Sequence, residues 1–95
     1  MLASTFRITE VFVLRLRNWI VVFGNIMSGE LSDGMWMESS ENNACFKIHS
    51  IEAVNSIEDH ALIGLTFDYK GEYQFDLLKK LEGTTVLITN KIDVT

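Results

Sequence analysis

The feature that most constrains this chain is a pair of successive apolar runs, the first with the periodicity of a strand. Along residues 6–16 the even positions are Phe6, Ile8, Glu10, Phe12, Leu14 and Leu16, an apolar face broken only by Glu10. The odd positions place Arg7, Thr9, Arg15 and Arg17 opposite, with Val11 and Val13 between them. Successive side chains of a strand point to opposite faces, so this pattern predicts one long strand with the three arginines on a shared face. Residues 19–27 (WIVVFGNIM) are apolar at both parities and rich in β-branched and aromatic types. That composition predicts a strand covered on each side, with Gly24 permitting a bend or bulge.

The remaining chain continues in short β-type segments. Gly29 and Gly34 punctuate residues 28–38, followed by a short strand of Met35, Trp36 and Met37. In residues 44–54 (ACFKIHSIEAV) the apolar parity moves from Phe46 and Ile48 to Ile51 and Ala53, which predicts a bulge near Ser50. Ala61, Ile63, Leu65, Phe67 and Tyr69 alternate as another half-buried strand. Residues 75–81 carry helical spacing and stop before Gly83, and Val86, Ile88 and Ile92 supply a closing strand. No proline, linker or repeat divides the chain. The expectation is one domain over residues 1–95: all-β, a small closed antiparallel β-barrel with one short helical turn, closure removing the exposed edges.

A hydrophobic fraction of 47% against 22% charged residues suits a chain that folds around one core. The net charge of -5 is uneven: Arg7, Arg15 and Arg17 face only Glu10 in the first 29 residues, and twelve acids against five lysines follow. An acidic surface repels phosphate backbones and suits solubility or a basic protein partner. Cys45 is the only cysteine, so no internal disulfide forms. The apolar stretch 11–27 is interrupted by Arg15, Arg17 and Asn18 and falls short of the ~18–20 residues that span a bilayer. The first residues lack the basic start and cleavage site of a signal peptide. A cytoplasmic protein without membrane association is expected.

The run from Ile20 to Gly29 (IVVFGNIMSG), then Leu31 and Gly34, resembles the pattern v-v-x-G-x-i-x-x-G-x-i-x-x-G-d of the β-barrel second domain of translational GTPases such as elongation factor Tu. The likeness continues in Phe46-Lys47-Ile48-His49-Ser50-Ile51-Glu52, in Ala61-Leu62-Ile63-Gly64-Leu65, and in Leu81-Glu82-Gly83-Thr84-Thr85-Val86-Leu87, where the family has r-G-d-v-L. The resemblance implies that family's barrel. It departs where a g-r-G motif precedes the v-v-x-G strand, since Arg17-Asn18-Trp19 stands there with one residue inserted. Only Glu10 precedes Val11-Phe12 where the family carries an acidic pair, so the family's contact with aminoacyl-RNA is not implied.

No catalytic set emerges. The chain has no GxxxxGK[ST] phosphate loop, and Asn90-Lys91-Ile92-Asp93 matches the guanine-specifying N-K-x-D only by a short pattern that arises by chance. Cys45, His49 and His60 offer thiolate and imidazole donors without paired metal-ligand spacing; residues 45 and 49 lie about 13 Å apart by strand rise. A buried cysteine and two ordinary histidines are the simpler reading. Glu30, Asp33 and Glu38 are expected as solvated acids around turns rather than an acid-base pair. The residues expected to carry function are therefore partner-binding ones. Arg7, Arg15 and Arg17 form a basic stripe, Glu10 accompanies them, and Trp19 and Trp36 are anchors wherever they reach the surface.

These features lead to a non-enzymatic, stand-alone barrel that acts as an interaction module, with no cofactor or metal. A protein is the expected partner. A barrel touching structured RNA through Glu10, Arg15 and Arg17 is the second reading, and an acidic immunity or inhibitor protein that neutralises a basic enzyme the third. A homodimer would be one way to cover Trp19 or Trp36.

Overall fold

The computed structural model describes residues 3–32, 34–39, 44–54 and 62–90. The chain runs β1 (Ala3–Leu14), β2 (Trp19–Ser28), β3 (Trp36–Ser39), β4 (Ala44–Lys47), β5 (Ser50–Val54), β6 (Leu62–Asp68), α1 (Glu72–Lys79) and β7 (Thr85–Thr89). All seven strands belong to one antiparallel sheet in the order β4-β3-β7-β1-β2-β6-β5. The mostly β reading stands. The expected closed ladder does not, because the sheet ends in β4 on one side and β5 on the other.

Those two terminal strands are consecutive in the chain. A flat sheet of seven strands would hold them about 29 Å apart at ~4.8 Å per strand. The three residue steps from Lys47 to Ser50 reach no further than about 11 Å. The sheet must therefore curl until its ends adjoin. Ile48 and His49 bridge the seam, the Ile48 N–H donating to Met35 O (3.0 Å) beside β3 and the His49 N–H to Thr66 O (2.7 Å) in β6. The parity shift expected as a bulge near Ser50 is thus a break between two strands. The chain leaves one sheet end and joins the other, because the change of parity coincides with a change of pairing partner.

The long N-terminal strand forms, but its alternation is not kept throughout. The β1–β2 register steps from Ile8↔Gly24 to Glu10↔Phe23, leaving Thr9 as an extra residue whose hydroxyl donates to Phe23 O (3.0 Å). A bulge of this kind shifts side-chain parity by one. Phe6 and Ile8 point into the core, and beyond the bulge Val11 is buried while Glu10, Phe12 and Leu14 face outward. Of the expected apolar face, Phe12 and Leu14 are therefore on the outer side of β1, and Leu16 lies in the turn that follows. At Gly24 a Cβ would collide with the Arg7 carbonyl oxygen and the Phe6 ring, so the close approach of β1 and β2 requires glycine.

The core combines Phe6, Ile8, Val11, Ile20, Val22, Met37, Ile48, Leu65, Phe67 and Ile88 with Leu78 and Leu81 from the helical segment. The helix begins at Glu72, earlier than the apolar spacing predicts, and lies over the half of β1 that β7 does not reach. There the chain after the helix substitutes for a strand. The Ile8 N–H donates to Thr84 O (2.9 Å), the Gly83 N–H to Ile8 O (2.8 Å), the Val11 N–H to Glu82 Oε2 (2.8 Å) and Lys79 Nζ to Val11 O (2.9 Å). Among the described residues no helix is long and apolar enough to cross a membrane. The expected strand residues Ala61 and Ile92 lie outside the described residues.

Candidate partner-binding site

The β1–β2 connection is a four-residue turn, residues 15–18, in which the Arg17 N–H donates to Leu14 O and the Asn18 N–H to Arg15 O (both 3.2 Å). Asn18 takes a left-handed backbone (φ 58), a conformation asparagine tolerates better than branched residues. Its carbonyl accepts from the Tyr69 N–H (2.9 Å), which ties the turn to the end of β6.

This turn corrects the expected arginine stripe. Arg15 and Arg17 belong to the turn rather than to a strand face, and Arg7 lies on β1 beyond the Thr9 bulge, about 25 Å from Arg15 by strand rise. Arg7 pairs in register with Asn25 and Thr85, in the other half of the sheet. Glu10 is exposed opposite Phe23. Of the expected basic set, only Arg15 and Arg17 are brought together, with Leu16 between them.

Leu16 is 97% exposed, and Phe12 and Leu14 are each 40% exposed on the outer face of β1. Cross-strand partners extend this face: Phe12 lies opposite Val21, Leu14 opposite Trp19, and the Phe12 and Phe23 rings are 5.1 Å apart. Trp19 is half-buried. The Arg17 guanidinium lies 5.3 Å from its ring centroid and the His49 ring 5.4 Å away, a favourable cation–aromatic arrangement. His49 Nδ1 in turn sits 3.7 Å from Asp68 Oδ1. The hairpin end thus carries an apolar ridge (Phe12, Leu14, Leu16) beside a polar, aromatic cluster (Arg17, Trp19, His49, Asp68).

Trp36 stands elsewhere. It is half-buried on β3, paired in register with Lys47, and lines a cleft of about 730 Å³ at the seam. Phe46, Phe67, Lys47, His49, Asp68, Lys70, Gln74 and Cys45 share that cleft. Trp19 and Trp36 therefore do not form one anchor pair, although His49 touches the surroundings of both.

The other candidates resolve simply. Cys45 is exposed rather than buried, because it is on the outer face of β4 opposite Glu38. Among the described residues no three His, Cys, Asp or Glu side chains are grouped to hold a metal ion. Glu38 sits in a strand, not a turn, and accepts from Thr89 Oγ1 (2.8 Å); Glu30 is exposed. Asp33, His60 and residues 91–93 lie outside the described residues.

Sequence reasoning missed Phe12, Leu14 and Leu16 as surface residues. The signal was Glu10, whose intrusion into the even series marks where the parity changes. It also missed Lys47 and Lys70, which no local pattern links. Comparison with protein families, with curated proteins and with solved structures returned no match. The functional reading therefore rests on the geometry of this chain.

Proposed function

We propose that this chain is a non-enzymatic interaction module that binds a protein partner through the end of its β1–β2 hairpin. The observation that carries the reading is the exposure of Leu16 at the tip, between Arg15 and Arg17 and just beyond the outward-facing Phe12 and Leu14 of β1. A single exposed leucine needs no explanation, but an apolar ridge flanked by cations and ending beside an aromatic ring has the make-up of a binding hot spot. Its complement is a partner surface with an apolar pocket rimmed by carboxylates. The positive tip of an otherwise acidic molecule favours such a partner over a basic enzyme.

The likeness to the second domain of translational GTPases belongs to this reading, which takes the curled sheet as a barrel of that kind used without a nucleotide-binding domain. Contact with structured RNA is the less favoured reading, since Arg7 stands apart from Arg15 and Arg17. The test is affinity capture with the wild-type chain and with Leu16→Asp, each with and without ribonuclease. A protein retained by the wild type despite ribonuclease and lost with Leu16→Asp supports the reading. Retention unaffected by Leu16→Asp, or retention that depends on RNA, contradicts it.

A further inference from the structure

The cleft at the seam shares His49 and Asp68 with the cluster at the hairpin end, but Trp36, Lys47 and Lys70 give it a different chemistry. Its volume of about 730 Å³ falls in the range of sites that enclose small molecules, and aromatic residues supply much of its wall. Phe67, a lining residue rooted in the core, meets Phe46 edge-on, with ring centroids 6.2 Å apart. Trp36 and Lys47 are direct cross-strand partners, which places their Cβ atoms about 5 Å apart on one face. A ring lying against Trp36 would therefore have an ammonium group beside it.

The polar groups of the cleft carry a positive excess. Lys47 and Lys70 both line it, and neither forms an ion pair among the described residues. Among the described residues that line it, the carboxylate is Asp68, which faces His49 at 3.7 Å. The wall near Lys70 is held in place by Gln74, whose amide nitrogen donates to Asp68 O (2.9 Å) and whose amide oxygen accepts from the Lys70 N–H (2.6 Å). The seam itself is fixed by the backbone bonds of Ile48 and His49. The site is thus largely formed before any ligand arrives, which lowers the ordering cost of binding. In a chain of net charge -5, two lysines beside aromatic rings select for an anion.

We propose that this cleft binds a small planar anion: an aromatic or heteroaromatic ring stacked on Trp36, with its phosphate, sulfonate or carboxylate held between Lys47 and Lys70. The test is a titration of the full chain, followed by intrinsic fluorescence in a Trp19→Phe background so that Trp36 reports alone. Adenosine 5′-monophosphate and naphthalene-2-sulfonate serve as the ring-bearing anions; adenosine and inorganic phosphate serve as the ring-only and charge-only controls. Saturable binding of at least one ring-bearing anion is expected, with affinity at least about tenfold above either control. Lys47→Glu and Lys70→Glu, both at exposed positions, should each weaken it about fivefold or more while leaving the thermal midpoint near that of the parent. The same ligand should slow alkylation of Cys45, the single thiol, which lines the cleft. No saturable binding of either ring-bearing anion, or binding unmoved by both charge reversals, overturns the proposal. Leu16→Asp should leave this binding unchanged, so failure here and failure of the hairpin reading are separable.

Discussion

Asn18 sets the shape of the hairpin end. Its left-handed backbone closes the turn, and its carbonyl anchors Tyr69, so the orientation of Leu16 and Arg17 depends on one residue tolerating a positive φ. Replacing it by a β-branched residue forces strain that asparagine avoids. Asn18→Val is expected to lower stability by about 1 kcal/mol, and Asn18→Gly to leave it nearly unchanged, as measured by urea unfolding. The sequence marks Arg17-Asn18-Trp19 only as a departure from g-r-G; the turn occupies residues 15–18 and Trp19 opens β2. The sequence could not show that Arg15 and Arg17 leave the strand, because alternation continues into a turn whenever polar and apolar residues happen to alternate. Glu10 was the informative residue: an acid in an apolar series indicates that the series, not the acid, is out of place.

At the level of elements, the free half of β1 is covered by α1 and the turn after it rather than by a strand. Lys79 and Glu82 act as a pair, the ammonium donating to Val11 O and the carboxylate accepting from the Val11 N–H, with 2.9 Å between Nζ and Oε2. The Lys79 hydrogen bond, aided by that from the Val11 N–H, holds the Glu82 carboxyl below its ordinary 4.5. A carboxyl lowered in the folded state contributes stability that is fully present above the unfolded value and is lost as pH falls through the folded one. Glu82→Gln should therefore be less stable than the parent at pH 7, and the gap between their thermal midpoints should narrow as pH falls below about 4.5. A gap that is constant from pH 7 to pH 3 would show that the pair contributes nothing. Helix and strand existence were readable from periodicity, since apolar spacing reports which face is buried. The covering of β1 by Glu82 was not, because two residues 71 positions apart share no local pattern.

For the whole molecule, the curl of the sheet follows from connectivity. The segment 44–54 serves both sheet ends, so the covalent chain across Ile48 and His49 links them while the ladder itself stays open. Alternation identifies a strand's faces but not its neighbours, which is why a mostly β, antiparallel chain was legible and the open ladder was not. Amide exchange tests the seam: the Ile48 and His49 N–H groups should be protected to a degree comparable with those of β6, and fast exchange at both would mean that the ends are not joined in this way. The curl also sets the two proposed surfaces apart, the ridge of Phe12, Leu14 and Leu16 on the outer face and the aromatic cleft at the seam. The most direct test of the hairpin as the docking element is hydrogen–deuterium exchange on the complex with the captured protein. Added protection should centre on residues 12–19 and leave β3 and β4 unchanged; protection confined to β3, β4 or α1, with residues 12–19 unaltered, would contradict it.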